Sequence, residues 1–199
     1  YSAAINAVAP WVADQEVSER HLKLVRARHP LLTGAVVPVS VDLDRNQGVM
    51  LITGPNAGGK TVTLKTVGLL ALMAQSGLHV PAEEAHFPRF DGVYADIGDQ
   101  QSIQQSLSTF SSHITNLKNI MSRATVHSLV LVDELGSSTD PEEGSALASA
   151  LLRYFQKIGS FVVATSHHRG VARFVQDQEG MVNASVDLDP TTLEPTYHV

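Results

Sequence analysis

Residues 54–61 of this chain read Gly-Pro-Asn-Ala-Gly-Gly-Lys-Thr and directly follow the apolar run 49–52. Glycines let backbone N–H groups approach an anion with no side chain in the way. In such a loop the lysine reaches the β- and γ-phosphates of a nucleotide, and the hydroxyl after it ligates Mg²⁺. A strand before the loop and a helix after it are the context that the motif requires. The stretch therefore predicts a Walker A phosphate loop and nucleotide binding.

This loop supplies most of the predicted nucleotide contacts. We expect Lys60 to stabilise charge on the transferred phosphoryl group and Thr61 to hold Mg²⁺. The helix that follows directs its positive N-terminal end at the same anion. The nucleotide-binding residues predicted here are Gly54, Pro55, Asn56, Ala57, Gly58, Gly59, Lys60, Thr61 and Val62.

A second apolar run, 129–132, ends in Asp133-Glu134. Mg²⁺ needs a carboxylate at the end of a buried strand near the phosphate loop, so Asp133 is predicted to hold the metal together with Thr61. Glu134 is then placed to orient and deprotonate the attacking water. In isolation an acidic pair could simply begin a loop. Its combination with the phosphate loop favours the functional interpretation.

The apolar strand 161–165 is followed by Ser166, His167 and His168. A histidine that leaves the strand beside the acidic one could contact the γ-phosphate and report hydrolysis. The chain has nine histidines, and taken alone a histidine at a strand end would more simply be a capping residue. With the other two motifs present, we predict that His167 is a γ-phosphate sensor and that His168 points elsewhere.

The segment 106–113 is rich in hydroxyls and opens a helix, with Ser108 or Thr109 as the predicted N-cap. Such an N-terminus favours an anion. Nothing local directs it to the phosphate loop of its own chain. Contact with the nucleotide of a second subunit is one explanation, and a well-capped surface helix is the other.

Hydrophobic periodicity predicts an α/β fold with a mainly parallel central sheet flanked by helices. Helices are predicted over 1–15, 60–76, 110–124, 141–157 and 171–175. Strands are predicted over 22–26, 36–43, 49–53, 93–97, 129–132 and 161–165. The segments 181–188 and 193–197 are predicted to form a closing antiparallel pair.

Composition narrows the possible functions. The chain has 199 residues and a net charge of −6, and it shows no Lys/Arg cluster of the kind that displaces counterions from duplex DNA. It has no cysteine, which excludes disulfides and thiolate metal sites. Its longest apolar run, 67–74, is too short to span a bilayer. The chain begins as if within a helix, with no signal peptide, and we expect a piece of a longer cytoplasmic protein.

Several motifs together resemble the ATPase domain of the MutS family, within the ABC ATPase superfamily. They are the phosphate loop, Asp-Ile-Gly-Asp-Gln-Gln-Ser at 96–102, Ser-Thr-Phe-Ser-Ser-His at 108–113, Val-Asp-Glu-Leu-Gly-Ser-Ser-Thr-Asp-Pro at 132–141 and Thr-Ser-His at 165–167. The run 96–103 and Val-Asn-Ala-Ser-Val-Asp at 182–187 are similar to the second bacterial MutS paralogue, the branch without a mismatch-reading domain. The resemblance covers about residues 21–199.

The resemblance implies a P-loop NTPase fold of ABC type with antiparallel additions to its sheet. Residues 1–20 would end an upstream helical domain, and 21–199 would be the ATPase domain. The family forms dimers with two composite ATP sites, so Ser108 and Thr109 would contact the partner's γ-phosphate. The loop 136–140 would cross the interface.

The resemblance also assigns single residues. Asn56 would help to polarise the γ-phosphate region, and Val36 and Val37 align with positions that flank adenine. Two departures concern the sensor segment, where His168 replaces the usual Tyr and Ser166 the usual Thr.

Together these observations predict an ATP hydrolase that uses ATP and Mg²⁺ and acts as a homodimer, with Glu134, Lys60 and His167 as its catalytic residues. Members of this branch act on branched DNA or on collided ribosomes, here through domains outside this chain. Neither a nuclease activity nor a membrane contact is expected in these residues. One alternative is a nucleotide-gated DNA-binding module with little turnover. Two other classes of protein fit the sequence less well. One is a helicase motor of RecA type. The other is a transporter subunit, which would carry Leu-Ser-Gly-Gly-Gln.

Overall fold

The computed structural model describes residues 6–13, 20–34, 36–55, 58–98, 106–137 and 139–186. The strands are β1 (Trp11–Ala13), β2 (His21–Ala27), β3 (Val39–Asp44), β4 (Val49–Thr53), β5 (Glu84–Pro88), β6 (Gly92–Asp96), β7 (Ser128–Val132), β8 (Phe161–Thr165) and β9 (Met181–Ser185). The helices are α1 (Lys60–Gln75), α2 (Ser106–Arg123), α3 (Pro141–Ile158) and α4 (Arg169–Gln176). None of these helices has both the length and the apolarity needed to cross a bilayer.

The centre of the fold is a five-stranded sheet in the order β6-β7-β8-β4-β9, and every neighbouring pair is parallel. All residues of β7 and β8 are buried because both faces of this sheet are covered. The prediction of a mainly parallel sheet between helices is confirmed.

Two hydrophobic cores lie on opposite faces of this sheet, because alternate residues of each strand face opposite ways. Met50 and Ile52 of β4 join the core formed with α1 and the second sheet. Val49 and Leu51 join the core formed with α2, α3 and α4. The sheet is therefore the middle layer of the fold.

The second sheet has the order β1-β5-β2-β3 and supplies the antiparallel additions. The predicted helix over 1–15 is wrong for Trp11–Ala13, which form β1 and pair in parallel with β5. Strand β5 was not predicted. The alternation of apolar and polar residues in β5, in which Ala85 and Phe87 are buried, is too short to predict a strand and ends at Pro88.

The predicted strand that begins at residue 181 is confirmed over Met181–Ser185, which form β9. Strand β9 pairs in parallel with β4, because α4 returns the chain to the open edge of that strand. The predicted antiparallel partner at 193–197 lies outside the described residues. Residues 36 and 37 precede β3, which begins at Val39.

Candidate functional site

The candidate site lies at the carboxyl edge of the parallel sheet, where ligands of open α/β sheets bind. Ile52 of β4 is paired with Thr165 of β8, and Val132 of β7 with Ala164. This register brings together the ends of three strands. The glycine-rich loop (residues 54–61), Asp133-Glu134 and the segment 165–168 therefore meet at one edge.

The glycine-rich loop turns tightly from β4 into α1. Gly58 N–H donates to the Pro55 carbonyl at 3.0 Å, and Gly59 caps α1 with a φ of 81°, a conformation that favours glycine. A Cβ on Gly58 would lie 2.9 Å from Cγ1 of Val186, so this glycine also permits close packing. Asn56 and Ala57 lie outside the described residues.

Lys60 is buried at the start of α1, only 3% exposed. Its Nζ donates to the carbonyls of Gly54 at 2.6 Å and Pro55 at 2.8 Å. Burial lowers the pKa of Lys60, and the negative charges of Glu134 and Asp133 oppose that shift. A desolvated cation thus lies inside the loop, close to both predicted acidic residues.

Asp133 is 5% exposed, and both oxygens of its carboxylate accept hydrogen bonds. Thr61 Oγ1 donates to Oδ2 at 2.6 Å, and Thr165 Oγ1 donates to Oδ1 at 2.6 Å. The predicted pair of metal ligands, Thr61 and Asp133, is therefore already together. The contribution of Thr165 was missed, although a hydroxyl at the end of the neighbouring strand was a visible signal.

The donor set of this pair fits Mg²⁺. A hydroxyl and a carboxylate are hard oxygen ligands, and Mg²⁺ is usually held by one or two carboxylates together with substrate phosphates and water. Within the described ranges no three His, Asp or Glu side chains cluster in a way that could hold a metal. Phosphate oxygens of a nucleotide and water are the kinds of ligand that would complete the shell of a magnesium ion held by this pair.

Glu134 has a left-handed backbone, with a φ of 49°. Its N–H donates to Thr165 Oγ1 at 2.8 Å, and its carbonyl accepts from Ser137 N–H at 3.1 Å. A residue in this region costs about 1–3 kcal/mol and persists only where its surroundings hold it. The structure thus maintains a strained backbone at the predicted general base.

His167 lies two residues after the end of β8 and is exposed. Partial desolvation lowers its pKa, and the neighbouring charges of His168 and Lys60 act in the same direction while Glu134 opposes them. The His168 ring lies against that of His167, with centroids 4.3 Å apart. His167 is therefore within electrostatic range of both Lys60 and Glu134.

An apolar pocket of about 250 Å³ adjoins the first turn of α1. It brings Val36 and Val37 together with Val62, all three of which were predicted to bind nucleotide. Gly59, which was also predicted to bind nucleotide, contributes to the lining of this pocket. Sequence reasoning missed the remaining lining residues, which are Leu32, Thr33, Val39 and Thr63.

Ser108 and Thr109 lie within α2, which begins at Ser106, so their prediction as N-caps is wrong. The helix begins two residues before Ser108. The side chains of Ser108 and Thr109 are outside the described part of the structure. Farther along α2, Asn116 Nδ2 donates to Asp96 Oδ1 at 2.8 Å, and His113 pairs with the same carboxylate.

The loop after Glu134 packs closely on the first turn of α3. Gly136 has a φ of 88°, and a Cβ placed on it would lie 2.6 Å from the carbonyl oxygen of Gly144. Gly144 faces the Gly136 carbonyl just as closely. The absence of side chains at these two positions lets the loop that begins at 136 rest against α3.

Replacing Gly144 with alanine is expected to destabilise the protein. Helix propensity alone would favour alanine by about 1 kcal/mol. The new methyl group would meet backbone that cannot easily move, and such overpacking costs about 1–3 kcal/mol. Urea unfolding would measure the difference, and a rise in stability would contradict this packing.

A strand, a glycine-rich loop and a helix at the carboxyl edge of a parallel sheet form the architecture of P-loop NTPases. Residues 50–198 match the family described as MutS domain V. The chain belongs to the MutS family.

The chain is also similar to longer proteins of this family. It is 50% identical over 201 residues to an endonuclease MutS2 of Halalkalibacterium halodurans, covering 100% of this chain and 25% of the relative. Identity to an endonuclease MutS2 of Alkaliphilus oremlandii is 54% over 182 residues, or 90% of this chain and 23% of the relative. A putative endonuclease MutS2 of Bacillus subtilis is 49% identical over 199 residues, which cover 99% of this chain and 25% of the relative. The chain thus spans about a quarter of the length of these relatives.

Proposed function

We propose that this chain is the ATP-hydrolysing motor domain of a MutS-like protein. The observation that carries the proposal is the convergence of Lys60, the Thr61–Asp133 pair and Glu134 at one edge of the sheet. A buried cation, two oxygen ligands for a metal and a carboxylate suited to activate water are the parts that phosphoryl transfer to water requires.

Each residue has a distinct role in this proposal. Lys60 and the amides of the glycine-rich loop bind the phosphates and stabilise charge on the transferred group. Thr61 and Asp133 would hold Mg²⁺, which neutralises phosphate charge when it is bound. Glu134 accepts a proton from the attacking water. The pocket around Val36, Val37 and Val62 supplies an apolar surface for adenine.

The proposal extends to assembly and target. Ser108 and Thr109 on α2 would contact the γ-phosphate bound to a second copy of the chain, so that ATP draws two copies together and hydrolysis releases them. His167 would report the state of that phosphate. DNA or the ribosome would be engaged by regions outside these residues, and the protein would act in the cytoplasm.

Phosphate release from ATP tests the core of the proposal. The intact protein should hydrolyse ATP in Mg²⁺ and lose this activity in excess chelator, while its molecular mass in solution rises with a slowly hydrolysed ATP analogue. Nucleotide binding without measurable turnover would instead favour a nucleotide-gated module. Failure to bind ATP·Mg²⁺ at all would refute the proposal.

Nucleotide binding is expected to draw a proton onto His167. In the free protein the pKa of His167 is lowered below its ordinary value of about 6.5, so the ring is neutral at pH 7. A nearby γ-phosphate would raise that pKa. ATP affinity should therefore increase as the pH falls from about 7.5 towards 6.5.

Calorimetric titration in two buffers with different ionisation enthalpies measures this proton uptake. His167→Gln serves as the reference because protonation of the nucleotide itself remains in that variant. Equal proton uptake by the parent and the variant would show that His167 does not sense the phosphate.

A further inference from the structure

We propose that Thr165 is a positioning residue that fixes the metal ligand Asp133 and the general base Glu134 through one hydroxyl group. This inference rests on the proposed function and assigns part of its geometry to a residue on the neighbouring strand. Thr165 is the last residue of β8 and is completely buried. Substrate would not touch it, so its effect passes through the two acidic residues.

The hydroxyl of Thr165 makes two hydrogen bonds in opposite senses. It donates to Asp133 Oδ1 at 2.6 Å and accepts from the backbone N–H of Glu134 at 2.8 Å. The carbonyl of the same residue accepts from Leu135 N–H at 2.8 Å. One residue thus holds three consecutive residues at the end of β7.

The first bond decides how Asp133 presents its carboxylate. The terminal torsion of an aspartate is broad and roughly two-fold, so burial alone does not fix its two oxygens. With Oδ1 held by Thr165, Oδ2 faces Thr61 Oγ1 at 2.6 Å. Loss of the Thr165 hydroxyl would leave a buried carboxylate oxygen without its donor and free the plane of the group to turn.

The second bond acts on the backbone of Glu134. Its φ of 49° is sparsely populated by residues other than glycine and needs outside support. The hydroxyl of Thr165 is the acceptor for its N–H. A substitution that removes this hydroxyl would therefore disturb the metal ligand and the base together, whereas Lys60 would keep its bonds to the Gly54 and Pro55 carbonyls.

Three variants of the intact protein test this inference. Thr165→Val removes the hydroxyl with little change in shape, and Thr165→Ser keeps it. Thr66→Val is the matched control, since Thr66 is also buried and its hydroxyl donates to the Val62 carbonyl at 2.7 Å within α1.

Thr165→Val should raise the Mg²⁺ concentration for half-maximal ATP hydrolysis by about 10- to 100-fold and lower kcat over a similar range, the size expected for a lost hydrogen bond to a charged group. The affinity for ATP in excess chelator should stay within about threefold of the parent, because Lys60 and its loop are unchanged. Thr165→Ser should restore both values, and Thr66→Val should leave them unchanged.

Amide hydrogen exchange in the nucleotide-free protein gives a reading that is independent of activity. The Glu134 amide should exchange about 10-fold faster or more in Thr165→Val, and at the parental rate in Thr165→Ser and Thr66→Val. If the valine variant does not fold, Thr165→Ala must show the same three effects.

Parental Mg²⁺ dependence and parental Glu134 exchange in Thr165→Val or Thr165→Ala would overturn the inference while leaving the ATPase proposal intact. Failure of the parent protein to bind or hydrolyse ATP would instead refute the proposed function. In that case the exchange of the Glu134 amide would still decide whether Thr165 holds the end of β7.

Discussion

Glu134→Gln is expected to lower kcat for ATP hydrolysis by about 10²- to 10⁴-fold, the usual contribution of a general base. Glutamine has almost the same shape but cannot accept the proton of the attacking water. Its backbone can make the same hydrogen bonds to Thr165 and Ser137, so the fold should persist. The variant should therefore bind ATP without turning it over, and the proposed ATP-bound dimer should outlast that of the parent. Single-turnover phosphate release and mass measurements in the presence of ATP would show both effects.

Glu179→Gln provides the matched control for this experiment. Glu179 is exposed and lies just before β9, at the opposite end of the sheet from Glu134. The same chemical change there should leave turnover as it is. If Glu134→Gln hydrolysed ATP at the parental rate, Glu134 would not be the general base, and another group would have that role.

Lys60→Met is expected to weaken ATP binding by a factor of about 30 or more. Removing one member of a buried charged pair costs about 2–5 kcal/mol, and every 1.4 kcal/mol is a tenfold change in Kd. The methionine keeps an unbranched side chain of the length of the lysine stem but loses the amine that lies beside the Gly54 and Pro55 carbonyls. A labelled ATP analogue would report the change in Kd, and saturating ATP should no longer raise the melting temperature as it does for the parent.

Lys65→Met separates this effect from a general loss of positive charge. Lys65 lies on the same helix and is exposed. Its replacement should leave the affinity for ATP nearly unchanged. Comparable weakening by both substitutions would mean that α1 attracts ATP only through its overall charge.

The sequence predicted those parts of the site that depend on neighbours along the chain. The glycine-rich loop is one contiguous stretch. Its glycines indicate the backbone geometry, and its lysine and threonine indicate the chemistry. Asp133 and His167 were found because each follows an unmistakable apolar strand. The mainly parallel sheet followed from the alternation of strands and helices for the same reason.

Features that depend on which strands lie side by side could not be predicted from neighbours along the chain. The role of Thr165 exists only because β8 lies next to β7 with Val132 beside Ala164. Strand β1 has three residues, and its conformation is set by pairing with β5, which is distant in sequence. Among several hydroxyls before Phe110, periodicity could not say which one begins α2.

Val186 leads the chain out of β9, and its side chain rests on the glycine-rich loop beside Gly58. Its N–H also donates to the Thr53 carbonyl at 2.9 Å, immediately before that loop. The point where the chain leaves β9 and the point where it enters the glycine-rich loop are therefore in direct contact. A substitution that enlarges residue 186 would for this reason disturb the loop as well as the edge of the sheet.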